Sequence, residues 1–417
     1  MLKQSHLFTH TKKEAPKDEV SKNAQLLIRA GFVHKEMAGV YSYLPLGLRV
    51  LTHVERIIRE EMDAIGGQEI RMATLHPADP WKKTGGWDAI DVLFKLKSRT
   101  DNEYALGQSE EEIVAPIAQE YAFSYKDLPI ALYQIGQKYR DELRAKSGIM
   151  RGREFGMKDM YSFHTSQEDF DTFYEVVKKS YITIYERCGL TAKVTEASGG
   201  SFSTKISYEF MVLTDAGEDM ILYCETCDYC INEEIAKIKE GDACPKCAKS
   251  SLKSGKASEV GNVFDLGQKY AKAFEFMYTD EKGEKHYPIM GCFGIGVTRL
   301  MGVVAEALSD EKGLVWPTEL APYSFHVLPL LGKDADVNAR IMKEVDTLIA
   351  TLDRKENGVL FDDRTDMSAG ARFTDAELIG IPTRIVISEK SLEKGGAEVT
   401  NRHDGTTTIP SLESLTA

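Results

Sequence analysis

The stretch Tyr139-Arg-Asp-Glu-Leu-Arg-Ala-Lys-Ser-Gly-Ile-Met-Arg-Gly-Arg-Glu-Phe-Gly-Met-Lys-Asp-Met-Tyr-Ser-Phe163 decides how this chain is read. Both of its ends have strand character. Leu132 to Tyr139 is rich in Tyr, Ile and Leu, and Phe155, Met157, Asp159, Tyr161 and Phe163 alternate with Gly156, Lys158, Met160 and Ser162. Between them lies a polar loop with Lys146-Ser147-Gly148 at its tip. The pattern predicts an antiparallel hairpin that carries Arg140, Arg144, Arg151 and Arg153. Four guanidinium groups give a half-buried hairpin no stability, because burying them is costly unless they are paired. A polyphosphate lying across the hairpin accounts for them, since Arg presents a fork matched to phosphate oxygens. The plain alternative is a solvated hairpin with surface charges.

The rest of the chain sets bounds. At 417 residues it exceeds what one core serves, so two or three domains are expected. Hydrophobic residues at 42% and charged residues at 28% are ordinary for a globular protein. No apolar run is long enough to span a bilayer, so no membrane partner is expected. The first residues, Met1-Leu-Lys-Gln-Ser-His-Leu7, hold no hydrophobic signal core and no Arg-rich transit pattern. A cytoplasmic location is the expectation. Lys and Arg number 52 against 65 Asp and Glu, a net charge of −13. Any nucleic-acid binding must then rest on local positive patches.

The spacing inside the hairpin is specific. Aromatic-Arg-x-Glu (Tyr139, Arg140, Glu142), a loop, then Arg-x-x-x-Phe-x-x-x-Asp (Arg151, Phe155, Asp159) resembles motif 2 of the class II aminoacyl-tRNA synthetases. The wider text from Leu132 to His164 resembles the prolyl-tRNA synthetase family in particular. The resemblance implies that Arg140 holds the ATP α-phosphate, Glu142 reads the adenine amino group, Phe155 stacks on adenine and Arg151 touches the γ-phosphate. Each residue type suits the part it would play, with a plane for a base, a carboxylate for an exocyclic amine and guanidinium for phosphate.

Other segments fall into line. Leu48, Leu51, Val54, Ile58, Met62 and Ile65 recur at helical spacing, and Gly66-Gly67 stops the helix. Gly67 to Pro80 then resembles motif 1, which in the family builds a dimer interface, so a homodimer is implied. Met72-Ala73 stands where the family has Met-Pro. Gly107-Gln-Ser-Glu-Glu-Glu112 resembles the loop that caps the amino-acid pocket, with Ser109 and Glu111 toward the prolyl nitrogen. The same residues also read as a capping box, Ser109-x-x-Glu112, at a helix start. Ser166 or Thr165 begins a helix with Phe170, Phe173, Val177, Tyr181 and Ile184 on one face, ended by Gly189; Cys188 reads as core. Ser198 to Val212 is expected as a further central strand near the substrate. Ser207, Glu209 and Phe210 match the family text there, while its two glycines and its His are missing from 203–208. Met290 to Leu300 holds Gly-x-Gly-x-x-Arg and resembles motif 3, which puts Arg299 on the γ-phosphate at a helix N-terminus. The resemblance places Phe155, His164, Ser207, Cys292 and Gly294, with Ser109 and Glu111, around the proline. Cys292 has the chemistry of a nucleophile but no His beside it in sequence.

Cys224-x-x-Cys227 and Cys244-x-x-Cys247 have zinc-ribbon spacing, with Cys230 a fifth candidate. Reduced thiols of this kind can hold Zn²⁺ and fold a segment too small for its own core. Many prolyl-tRNA synthetases carry a large editing domain near this point; here only about forty residues fill the gap, which implies that the activity hydrolysing mischarged Ala-tRNA is absent. Beyond Trp316–Pro322, read as a linker, strand and helix alternate from Ser324 to Ile387, a compact α/β arrangement. Asp362-Asp363-Arg364 and Gly370-Ala-Arg372-Phe373 resemble the class II anticodon-binding domain, with Arg364 and Arg372 as RNA contacts or as solvated surface residues.

The expected fold is α+β: a class II antiparallel sheet flanked by helices over 1–318, with a Cys-rich insertion at 221–258, and an α/β anticodon-binding domain over 319–417. The implied activity is ATP-dependent attachment of L-proline to tRNA(Pro) through prolyl-adenylate. Arg140 and Arg299 stabilise the reacting phosphates and Mg²⁺ bridges their oxygens. Two alternatives stay open: a class II synthetase for another amino acid, and a non-catalytic tRNA-binding relative.

Overall fold

The structure, a computed structural model, describes every residue except Arg144, Lys146, residues 201–204, Glu356 and Ala417. The hairpin arginine Arg144 and the Ser203–Thr204 part of the altered strand lie outside the described residues. The chain divides into two compact units, one of residues 37–40 and 54–303, the other of 1–36, 41–53 and 304–417.

In chain order the larger unit draws on the second half, from Val54, of helix α1 (Pro45–Ala64), on strand β1 (Gln68–Glu69), helix α2 (Glu111–Tyr121) and the hairpin β2 (Ile130–Tyr139) and β3 (Glu154–His164). Then come α3 (Gln167–Arg187), β4 (Lys193–Ala197), β5 (Ser207–Leu213), β6 (Asp219–Tyr223), β7 (Cys230–Asn232), β8 (Lys253–Gly267), β9 (Ile289–Gly296) and α4 (Val297–Leu308). Nine strands form one sheet in the order β5-β4-β7-β6-β8-β9-β3-β2-β1, and a further β5–β8 pairing closes β4 to β8 into a ring. The predicted hairpin, β2 and β3, lies toward one side of this sheet, with only β1 beyond it. Gln134, Asp159, Gly294, Asn262 and Glu209 lie on one rung across five strands.

Side chains alternate along a strand, so Phe155, Met157, Asp159 and Tyr161 share a front face with Cys292 and Gly294. Lys158, Met160, Ser162 and His164 share the back face, which α3 covers. That helix starts where the Ser166 side chain accepts the Asp169 N–H, and it buries Phe170, Tyr174, Val177, Tyr181 and Ile184. Gly189, at φ 75°, lets the chain turn away. Lys158 is wholly buried there, its ammonium donating to Tyr181 and, at 3.0 Å, to the Phe293 carbonyl. Burial pulls its pKa down to about 7.

Three expectations need correction. Leu48 does not belong to the buried stripe of α1: it is 54% exposed, because the core face runs through Leu46, Val50, Val54 and Ile57, and Leu48 sits about 200° round from Leu46. Ser198–Val212 is not one strand; β4 ends at Ala197 and β5 begins at Ser207. Trp316–Pro322 is not a free linker either: Leu320 and Ala321 are wholly buried and the Trp316 indole donates to the Ile379 carbonyl at 3.1 Å.

The smaller unit holds β10 (Phe325–Leu330), α5 (Ala335–Leu352), β11 (Val359–Phe361), α6 (Ala369–Ile379), β12 (Thr383–Ser388), β13 (Glu398–Asn401) and β14 (Thr407–Thr408). Its sheet runs Leu2–Lys3, β11, β10, β12, β13, β14, and the first four strands are parallel. Val327, Ile341, Val345, Leu348, Val359 and Ile385 fill the core. The strand at Leu2–Lys3 pairs with Leu360–Phe361 and is too short to be read from sequence. Among the described residues no helix is long and apolar enough to cross a membrane.

Candidate active site

The front face of the sheet carries two adjoining cavities. One is lined by Arg140, Glu142, Arg151, Phe155 and Arg299. The hairpin brings the first four together because β2 and β3 pair Tyr139 with Glu154 and Lys138 with Phe155. β9 delivers Arg299 from the first turn of α4. Arg151 spans two carboxylates, Glu142 at 3.0 Å and Glu218 at 2.7 Å. Arg299 donates to the Met150 carbonyl at 2.7 Å and lies 3.3 Å from Glu259. Arg140 is different. Its guanidinium stacks 5.1 Å from the Phe155 ring centroid and reaches only the Gln108 carbonyl, at 3.4 Å. Its Nε has no hydrogen-bond partner, and no carboxylate lies within ion-pair distance of it among the described residues. Burial and the nearby Arg299 charge both pull its pKa down, so the site lacks an anion. Gly294 leaves room here: a β-carbon on it would stand 2.9 Å from the Asn262 amide oxygen.

The second cavity, about 280 Å³, shares Arg140 and Gly294 with the first and adds Ser109, Asp159, Tyr161 and Cys292. Glu111 sits beneath it, wholly buried. Ser109 Oγ donates to one of its oxygens and the Cys292 thiol to the other at 3.1 Å. Burial raises the Glu111 pKa, and two donors aimed at its oxygens partly offset that. A cationic amine entering the cavity would favour the carboxylate form. Burial and Glu111 push the Cys292 thiol well up, which opposes its use as a nucleophile. The capping box is not formed; α2 begins without a side-chain cap, and Glu112 accepts instead from Thr84 at 2.8 Å. Burial raises Glu112 to about 8.

Of the residues expected around the proline, Phe155 lines only the first cavity, Glu111 lies behind Ser109 and Cys292, and His164 and Ser207 are elsewhere. His164 has back-face parity and packs under α3, its ring 5.5 Å from Phe170 and 5.4 Å from Phe173, with Nδ1 2.6 Å from Asp169. Ser207 does not line the cavity; its hydroxyl donates to the Ala197 and Ser198 carbonyls at 3.3 and 2.8 Å and so holds Ser198, which does. Two glycines, sought at 203–208, stand at the cavity from positions 199 and 200 instead. Asn262 and Tyr161 were also missed as pocket residues, since neither carries an ionisable pattern. Arg153 holds the hairpin loop: it donates to the Glu142 carbonyl at 3.0 Å and the Ala38 carbonyl at 2.9 Å.

The sulfurs of Cys224, Cys227, Cys244 and Cys247 lie within 4.8 Å of one another. Cys224–Cys247 and Cys227–Cys244 are 3.7 and 3.6 Å apart. Zinc–thiolate bonds of about 2.3 Å in a tetrahedron give edges of about 3.8 Å, so the cluster could hold zinc. Cys230 is outside it, buried and accepting from Thr195 at 3.1 Å. In the smaller unit Arg364 and Arg372 are not displayed to RNA. Arg372 is 3% exposed, donates to the Pro329 and Asp362 carbonyls and pairs with Asp362 at 3.0 Å. Arg364 pairs with Asp362 and Asp375, each at 2.9 Å. Internal carboxylates account for both.

Residues 94–308 match the family described as tRNA synthetase class II core domain (G, H, P, S and T), and 325–416 match an anticodon binding domain. The chain is 32% identical to a proline–tRNA ligase of Halothermothrix orenii, over 97% of this chain and 96% of the relative. It is equally similar to one of Caldicellulosiruptor saccharolyticus, over 99% and 97%. The first alignment runs over 554 positions against a 417-residue chain, so a long stretch of the relative has no counterpart here. In fold the chain resembles the Giardia lamblia prolyl-tRNA synthetase solved with prolyl-adenylate, with a TM-score of 0.80 and 20% identity over 94% of this chain and 75% of that one. A Cryptosporidium parvum prolyl-tRNA synthetase solved with L-proline and AMP gives 0.77 and 18%, over 95% and 73%.

Proposed function

The chain belongs to the proline–tRNA ligase family of class II synthetases, and from that premise we propose that it joins L-proline to tRNA(Pro) through prolyl-adenylate, releasing pyrophosphate and AMP. One observation carries the reading: Arg140, a half-buried guanidinium whose Nε is enclosed and which has no anionic partner among the described residues, lines both cavities. Reactants held on its two sides meet there. A prolyl carboxylate oxygen attacks the α-phosphorus in line, the bond to the bridging oxygen breaks, and pyrophosphate leaves. Arg140 stabilises the charge on the pentavalent phosphorus, and Arg151 and Arg299 take the triphosphate tail. Glu142 and Phe155 select adenine. Ser109 and Glu111 face the prolyl ammonium. The 3′-hydroxyl of the tRNA terminal ribose then attacks the acyl carbon and AMP leaves. Positioning and electrostatics suffice, with no protein nucleophile.

Glu259 and Asp219, the latter raised by burial and by Glu259, would hold Mg²⁺ beside Arg299, and the ion would neutralise phosphate charge. Zinc on the four cysteines is structural in this reading, joining the ends of β6 and β8. The catalytic domain is taken as 1–318 with its Cys-rich insertion at 221–258, and the anticodon-binding domain as 319–417. A homodimer is supported by the motif 1 resemblance and by Leu75, 52% exposed next to it. The test is exchange of labelled pyrophosphate into ATP. Exchange should require proline; its absence with all twenty amino acids would sink the proposal. Metal analysis of protein purified without chelator should find about one zinc per chain, lost when Cys224 and Cys244 are replaced together.

A further inference from the structure

Beneath the amino-acid cavity lies a cluster of ionisable side chains that the reaction as derived does not use. His76, Glu110, Lys138 and Asp159 are each no more than 2% exposed. Lys138 Nζ stands 2.9 Å from Glu110 and 3.0 Å from Asp159. The second Glu110 oxygen is 2.8 Å from His76 Nε2. The Trp81 indole donates to His76 Nδ1 at 3.2 Å. An indole N–H only donates, so Nδ1 is the acceptor and the imidazole proton sits on Nε2, where it meets the Ala73 carbonyl at 2.8 Å; the neighbouring Glu110 oxygen is in contact with Nε2 without a hydrogen bond of its own. Asp159 accepts the Tyr161 hydroxyl at 3.1 Å, and that same hydroxyl receives the backbone N–H of Glu110 at 2.9 Å.

The cluster joins segments far apart in sequence: the stretch after β1 through His76, strand β2 through Lys138, strand β3 through Asp159, and the loop before α2 through Glu110. Burial opposes charge on both Glu110 and Lys138. His76 and Lys138 outweigh it at Glu110, and Asp159 and Glu110 outweigh it at Lys138. Space is reserved for the cluster as well. A β-carbon on Gly107 would come within 2.8 Å of the His76 ring and 2.9 Å of the Glu110 carboxylate. Buried ion pairs are weak sources of stability, and apolar replacements often serve as well. What they do supply is a fixed register. Here the register fixed is that of Glu110, whose chain neighbours Ser109 and Glu111 are the two groups assigned to the prolyl nitrogen.

We infer that Glu110, Lys138 and His76 are positioning residues that hold the Ser109–Glu111 loop against the sheet, and so set the affinity for the amino acid without touching it or the nucleotide. Lys138 and His76 are enclosed and line neither cavity. The inference rests on the amino-acid activation proposed above and names what positions that site.

The test uses the full chain with Glu110→Gln, His76→Ala and His76→Gln. Pyrophosphate exchange gives KM for proline and for ATP, and amide hydrogen exchange reads the order of residues 107–112 without reference to activity. Glu110→Gln should raise the proline KM about tenfold or more while the ATP KM stays within about twofold. His76→Ala should shift in the same direction. His76→Gln, whose amide can replace the Nε2 donor, should return the proline KM toward the parent value. Protection at 107–112 should fall in Glu110→Gln and His76→Ala and return in His76→Gln. The inference is overturned if both KM values rise together, if neither moves, or if the two His76 variants behave alike. If the parent shows no exchange with any amino acid, the functional reading fails instead, and the protection pattern alone decides whether the cluster orders the loop.

Discussion

The two cavities meet at Arg140 but are built on opposite plans. On the nucleotide side the cations are provisionally neutralised. Arg151, 41% exposed, is shared by Glu142 and Glu218, and Arg299 by Glu259. Phosphates must displace or share these partners, at small cost because exposed pairs are weak. On the amino-acid side nothing is provisional. Glu111 is sealed in with two donors, and its loop is tied to the sheet by a fully buried cluster. An open, adjustable rim suits a long, flexible, highly charged ligand. A dry, rigid pocket suits a small one that must be told from its near relatives.

The sharpest way to break this picture is Arg140→Ala. It should lower the rate of adenylate formation by about 10²–10³, measured by single-turnover pyrophosphate release, without lowering Tm, because the guanidinium removed is half-buried and has no anionic partner among the described residues. Unfolding of that variant would make Arg140 structural and end the claim that it serves both sides. Glu111→Gln should raise the proline KM about 10- to 100-fold, the value of a charge-assisted contact, with the ATP KM little changed. Equal effects on the two substrates would erase the distinction between the cavities. Glu218→Gln should act weakly and in reverse. By freeing Arg151 for phosphate it should lower the ATP KM about two- to fivefold, and a rise would show that the rim carboxylate helps bind the nucleotide.

Lys158, on the back face, provides the control. Its pKa is about 7 when folded, well below the ordinary lysine value. Between pH 7 and pH 10 the unfolded chain therefore binds more protons than the folded one, and this group makes stability rise with pH, by up to about 1.4 kcal/mol per pH unit. Lys158→Met should flatten that slope in urea titrations at pH 7 and pH 9 while leaving both KM values within about twofold.

The grouping of Arg140, Glu142, Arg151 and Phe155, proposed above as the nucleotide side, was legible in the sequence because these residues cluster on one hairpin, where spacing and chemistry coincide. The amino-acid side was legible only in part. Strand parity alone puts His164 on the wrong face, one position beyond Phe163, and parity is visible only once the strand is known to run unbroken to its end. The glycine pair at 199–200 hid because the stretch reads as one strand, whereas β4 ends at Ala197. Lys138 gave no signal, since a lysine in a strand usually marks the surface. Arg364 and Arg372 failed as RNA contacts for a related reason: a charged residue near a family motif does not show whether an internal carboxylate already holds it. Leu48 satisfied a helical stripe by spacing from Leu51, but the stripe's true centre lay at Leu46 and Val50.

The strand at Leu2–Lys3 has a consequence for how the protein is made. Ser5, just after it, bonds through its N–H and hydroxyl to Asp363, 358 positions later. At roughly 5–20 residues per second the ribosome needs roughly 20–70 s to cover that interval. Throughout that time the opening segment has no edge to pair with, and the smaller unit lacks its outermost parallel strand. This part of an enzyme that supplies translation therefore completes its own fold only after residue 363 has been made, and until then the waiting segment is open to holdases and proteases.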